Sequence, residues 1–117
     1  MLVEQELREI VERAGVGDPD FAADVRVLAA REPFEVAEDA GVVQLVRRQA
    51  TAVVGVEPEL VGVSFWADSA LLAAAGIPTV LFGPCGEGAH AEVEWVDVAD
   101  LERCVEIYVA VAAELCG

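Results

Sequence analysis

Lysine is absent from this sequence, and histidine occurs once, at position 90. The remaining basic residues are seven arginines, set against 22 acids, for a formal net charge of −15 at pH 7. Affinity for nucleic acid comes largely from neutralising phosphates with Lys and Arg, and attraction to anionic lipid surfaces needs basic clusters. No nucleic-acid partner and no membrane partner is therefore expected. The acidic excess reads first as a solvated surface that keeps an apolar chain in solution, and a dedicated cation-binding role is the weaker reading. Cysteine is scarce as well. Cys85, Cys104 and Cys116 contain no Cys-x-x-Cys pair, which excludes a disulfide framework and a zinc ribbon. Long apolar runs are missing too: the longest, residues 70–82, is broken by Gly76 and Pro78 and falls short of the roughly 20 residues a spanning helix needs. The opening Met-Leu-Val-Glu-Gln-Glu has no basic region followed by an apolar one, so no signal peptide is visible and a cytoplasmic location is expected.

What is present suffices for a core. The chain has 117 residues, enough for one domain and short for two, and 56% of them are hydrophobic. Leu7, Ile10, Val11 and Ala14 recur at helical spacing and predict a helix over residues 4–14, ended by Gly15, Gly17 and Asp18-Pro19. Residues 25–29 alternate weakly and predict a strand, after which Arg31 stands before Pro33. The acidic stretch between Arg31 and Gly41 reads as a connector, which divides the chain into residues 1–36 and 37–117. A second helix carries Val42, Leu45, Val46, Ala50 and Val53 on one face, with Arg47 and Arg48 on its solvated side and Gly55 as its stop.

A β-α-β unit is expected next. Residues 60–66 are apolar or small throughout, the pattern of a parallel strand covered on both faces. Asp68 is placed to cap a short helix over residues 69–75. Gly76 and Pro78 then end that helix, and Thr79, Val80, Leu81 and Phe82 predict a second buried strand. Ligands collect at the carboxyl ends of such strands, which is where residues 66–68 and the glycine-rich loop 83–90 fall. The final helix, about residues 99–115, starts from Asp97 with Asp100 three positions on in a capping-box arrangement. Its predicted buried stripe is Leu101, Cys104, Val105, Tyr108, Ala112 and Leu115. The fold class is α/β.

The chemistry gathers around His90. Glu87, Glu92 and Glu94 surround it in sequence, and Cys85 lies five residues before it. A catalytic zinc takes three protein ligands and leaves a position for water, so one histidine cannot hold it alone. Cys85, Glu87, Glu92, Glu94 and Asp68 are the candidates to join it. Each has a plainer reading. A lone histidine is more often a hydrogen-bonded structural residue than a ligand, Asp68 suffices as a helix cap, and Cys85 is a stronger candidate for a passive loop cysteine than for half of a Cys–His nucleophile pair.

The ordered set Phe65-Trp66-Ala67-Asp68-Ser69-Ala70-Leu71-Leu72, Ala75-Gly76-Ile77-Pro78-Thr79-Val80-Leu81-Phe82-Gly83-Pro84, Gly88-Ala89-His90 and Glu94-Trp95-Val96 resembles the C-terminal part of a known family. That family is the zinc-dependent amidohydrolases and exopeptidases related to acetylornithine deacetylase, succinyl-diaminopimelate desuccinylase, aminoacylase and glutamate carboxypeptidase. The resemblance implies that residues 37–117 are a parallel-sheet fragment of the catalytic domain and that residues 1–36 are an α-β remnant of the lid (dimerisation) domain. It implies a two-zinc site in the complete enzyme, with His90 as one ligand, and a small amide or peptide substrate. Asp68, Gly83 and Pro84 fall at the edge of that site as substrate-binding candidates, and Arg31 is near where some relatives place an arginine for a substrate carboxylate. The other ligands and the catalytic glutamate belong to an N-terminal half that this sequence does not carry. The chain is therefore expected to be inactive without that half, and to associate with it or with itself. The alternative is a non-catalytic α/β module that acts as an oligomerisation or binding partner.

Overall fold

A computed structural model describes residues 2–117. The chain divides into two compact units, the first ending at Glu32 and the second Pro33–Gly117. In the first unit, α1 (Leu2–Ala14) is an amphipathic helix, as its periodicity predicts. Its polar side is laced by Arg8–Glu4 at 2.8 Å and by Gln5 donating to Glu9 at 3.0 Å. Gly17, at φ +85°, turns the chain where a side chain would be strained. The Asp18 carboxylate then accepts from the Asp20 amide at 3.0 Å, an Asx turn. Residues 25–29 are not a strand. A strand exists by pairing, and no neighbouring segment offers these residues a ladder.

The second unit is organised by two helices, α2 (Gly41–Val54) and α4 (Val98–Cys116), which pack against each other. Val43, Leu45, Val46 and Ala50 from α2 and Cys104 and Ile107 from α4 are its buried apolar residues. Val43 and Ile107 are each only 1% exposed, and each such side chain gains about 1.5–3 kcal/mol from leaving water. Gly55 ends α2 in the left-handed conformation at φ +81°, its amide returning to the Thr51 carbonyl. Gln49 donates to Glu114 at 2.7 Å, and Arg48 pairs with the same carboxylate, joining the two helices at their exposed edge.

Arg47 departs from its expected solvated position. Its side chain is mostly covered, reaching Glu38 at 2.8 Å on one side and Glu57 on the other. It thereby ties together the segments that enter and leave α2. The buried stripe of α4 also differs from the expected one. Cys104 and Ile107 face α2, whereas Leu101, Val105, Tyr108 and Leu115 are 46–65% exposed. A helix apolar on two sides gives no periodicity signal for which side the core takes.

Between these helices lie α3 (Ser69–Ala74), β1 (Gly86–Glu87) and β2 (Trp95–Val96). β1 and β2 form an antiparallel ribbon with Gly86 opposite Val96 and Glu87 opposite Trp95. The fold is thus helical with a small two-stranded sheet. The expected strands 60–66 and 79–82 carry no ladder among the described residues, so no parallel pair is formed here. Residues 60–66 are exposed, Val61 at 71% and Phe65 at 54%, whereas Thr79, Val80 and Phe82 are half-buried. Their composition asks for cover on both faces and for partners along both edges, and the described residues supply no ladder and only part of the cover.

Candidate functional site

His90 stands at the end of a compact hairpin loop. Phe82 and Gly83 lead into it, β1 and β2 close it, and the loop passes through Gly88, Ala89 and His90 before returning at Trp95. The Ala91 amide donates to the Gly88 carbonyl at 2.7 Å, which closes a four-residue turn with His90 in third place. That place requires positive φ, and His90 sits at +65°. Among the described residues it is the one non-glycine with positive φ, and its side chain is exposed. Strained residues of this kind persist where the surroundings impose them, and they concentrate at functional sites.

Two glycines make the loop possible. A Cβ on Gly86 would lie 2.3 Å from the Trp95 carbonyl oxygen, and one on Gly88 would lie 2.0 Å from that of Val93. Gly88 also has φ +76°. In the sequence, the Gly-x-Gly spacing of residues 86–88, two glycines on one arm of a hairpin, is the signal available for such a close backbone approach. Pro84, Gly86, Glu87, Gly88, Ala89, Glu94, Trp95 and Val96 line a shallow hollow of about 310 Å³ beside the ribbon. Pro84, Glu87 and Glu94 are thus brought to one hollow. Gly83 precedes it, and an added Cβ there would meet nothing within 4 Å.

Cys85 is turned elsewhere. Its thiol engages the Asp100 carboxylate, which raises the thiol pKa by hydrogen bonding and by charge, with Asp97 adding to the effect. A nucleophilic cysteine needs the opposite shift, so the Cys–His pair is not formed. The same contact, with Arg103 donating at 2.8 Å, holds the Asp100 carboxyl below the usual carboxylate range. The Cys85 carbonyl accepts from the Asp97 amide at 2.9 Å, while the Asp97 carboxylate accepts from the Asp100 amide at 2.9 Å and caps α4. The cap is as expected, but the return half of the capping box is replaced by the bond to Cys85.

Asp68 occupies the N-cap position of α3, yet its side chain makes no capping bond; its carbonyl accepts from the Leu71 amide at 2.9 Å instead. The backbone there is already helical (φ −60°, ψ −15°), and a capping side chain works from the extended region. Arg31 belongs to the first unit, where its guanidinium donates to the Ala30 carbonyl at 2.9 Å. No group of three or more His, Cys, Asp or Glu side chains among the described residues is arranged to hold a metal ion. The donor set around His90 therefore does not fit a complete zinc site within this chain. Among the described residues no helix is long and apolar enough to cross a membrane.

The site is thus one exposed, backbone-strained histidine on a glycine-built hairpin of a helical body with a small sheet. The chain belongs to the peptidase family M20/M25/M40, whose family model matches residues 3–114. It is 30% identical over 106 residues to the succinyl-diaminopimelate desuccinylase of Magnetococcus marinus, covering 91% of this chain and 26% of that protein. It is 31% identical over 116 residues to the acetylornithine deacetylase of Myxococcus xanthus, covering 98% of this chain and 29% of that one. The chain thus spans less than a third of the length of the curated relatives it matches. No solved structure matches it significantly.

Proposed function

We propose that the chain is the C-terminal segment of a zinc-dependent metallohydrolase that cleaves amide bonds, as a deacylase or exopeptidase of amino-acid derivatives or short peptides. The observation that carries this reading is the family match over residues 3–114 by a chain equal to only 26–29% of its relatives' length. In the proposal His90 contributes one metal ligand, and the others come from an N-terminal half. A bound metal pair would supply an activated water and polarise the amide carbonyl. What this chain supplies is positional: the hairpin presents the imidazole outward, and Pro84, Glu87 and Glu94 form the wall beside it. Asp68 and Gly83 are proposed to meet substrate at the rim, and Arg31 to face a substrate carboxylate.

The unpaired segments 25–29, 60–66 and 79–82 have a place in the same proposal. They are strands of a lid remnant and of a parallel sheet, formed once the complementing half provides their neighbours. Alone, the chain hydrolyses nothing. Mixing it with a separately produced N-terminal half from a family relative should restore hydrolysis of an N-acyl amino acid, and His90→Ala should abolish that restoration. Amide hydrolysis by the isolated chain, or full restoration with His90→Ala, refutes the proposal. The exposed apolar side chains of Val61, Val63, Phe65 and Trp66 favour a second reading, a non-catalytic module that binds a partner through that flank. Under it, association persists and is indifferent to His90→Ala.

A further inference from the structure

A ribbon of two residue pairs is too short to hold a loop in place by itself. The hairpin that carries His90 is nevertheless attached to α4 at its base. On the incoming strand side, the Tyr108 hydroxyl donates to the Phe82 carbonyl at 2.7 Å, and the two rings meet edge to face at 6.0 Å and 88°. Three residues further along, the N-terminus of the same helix holds Cys85, whose carbonyl accepts from the Asp97 amide at 2.9 Å. Tyr108 lies three helical turns from Asp97, so the attachments are spread along the helix rather than gathered at one point. Between them they fix both the position and the direction of the chain entering the loop. The helix that makes them is itself held by Cys104 and Ile107 against α2.

We infer that Tyr108 is a positioning residue for His90, clasping the base of its loop to α4 so that the imidazole is presented from the α2–α4 core. Exposure alone would not single it out. Tyr108 is 49% exposed, yet its hydroxyl is spent on a main-chain carbonyl, and burial of that end raises its pKa. A tyrosine serving only to cover surface has no reason to place its hydroxyl on the residue that starts the loop. That His90 has a task to be positioned for rests on the proposed metal-ligand role; the clasp itself rests on the contacts.

The test uses the 117-residue chain without metal or partner and reads amide hydrogen exchange together with the imidazole NMR signals. A single histidine makes those signals unambiguous. Tyr108→Phe keeps the ring and removes the hydroxyl. It should speed exchange of the bonded amides at the ribbon and the turn, those of Ala91 and Asp97 among them, about five-fold, and should shift or broaden the His90 ring signals, with exchange in the middle of α4 unchanged. Val109→Ala, on an exposed part of the same helix, should change neither. Unchanged exchange and an unchanged His90 signal in Tyr108→Phe would overturn the inference. So would faster exchange spread evenly over α4, which would mean general loosening. Neither outcome bears on whether His90→Ala abolishes restored hydrolysis, so the clasp and the metal-ligand role can fail separately.

Discussion

Replacing Ile107 by alanine should separate this protein's core from its uncovered surface. Ile107 is 1% exposed on the face of α4 that meets α2, while Val109, two residues on, is 64% exposed. The Ile→Ala change removes three carbons. At about 0.8 kcal/mol each for lost burial this is roughly 2.4 kcal/mol, and the cavity left behind brings the expected cost to about 3 kcal/mol. Urea unfolding followed by far-UV circular dichroism measures it. With a slope of about 2 kcal/mol per M, the midpoint should fall by roughly 1.5 M. A six-residue core leaves little stability to lose, so the alanine variant can fall below measurable folding, and Ile107→Val gives a graded arm. Loss of one methylene should cost about 1 kcal/mol and move the midpoint by roughly 0.5 M. Val109→Ala should stay within about 0.5 kcal/mol of the parent. If Val109→Ala matches Ile107→Ala, or if both Ile107 variants are neutral, the α2–α4 contact is not what holds the second unit together.

Two further outcomes follow from the loop. Gly88→Ala should abolish the β1–β2 pairing, because a Cβ would meet the Val93 carbonyl oxygen at 2.0 Å and φ is +76°; loss of the cross-strand signals between Gly86 and Val96 in a nuclear Overhauser spectrum is the check, and their survival refutes the close approach. The Cys85–Asp100 contact should be confined to a pH window. The Asp100 pKa is lowered on folding, so its contribution is present above the unfolded carboxyl value and lost as pH falls through the folded one. The Cys85 pKa is raised, so its contribution is present below the unfolded thiol value and lost as pH rises through the folded one. The contact is therefore complete between roughly pH 4 and 8.5. Asp100→Asn should speed alkylation of Cys85 by iodoacetamide near the upper end of that window, with peptide mapping to separate it from Cys116; equal rates in parent and variant would remove the contact.

The helices were legible in the sequence, and the reason is physical. Residues 2–14, 41–54 and 98–116 each satisfy their backbone hydrogen bonds from within, so a periodic apolar pattern and end signals such as Gly55 and Asp97 are enough to specify them. Even there, the side of α4 that becomes buried was legible only in part: Cys104 of the expected stripe is buried, but beside it stands Ile107, while the equally apolar Leu101 and Val105 stay exposed. The candidate site was legible as a single residue. His90 could be picked out because it is unique and set among glycines, but the hold of α4 on the base of its loop, through Tyr108 on Phe82 and the Asp97 amide on Cys85, depends on contacts 12–26 residues apart. Periodicity carries no information at that range.

The failed strands are informative for the same reason. Residues 60–66 and 79–82 have the composition of segments buried on both faces, and in the described residues both are unpaired, with 60–66 exposed and 79–82 half-buried. A sequence evolved as an independent small domain would place polar residues where water is met, because exposed apolar edges pair indiscriminately. Here Val61, Val63, Phe65 and Trp66 stand between 43% and 71% exposed, and no charge interrupts them. The buried set of Val43, Leu45, Val46, Ala50, Cys104 and Ile107 is small for 117 residues, since ordering each residue costs about 1–2 kcal/mol that burial must offset. The mismatch between a composition written for a large core and the modest core formed is what the proposed segment of a larger protein should show, and it places the cover still needed along residues 60–66.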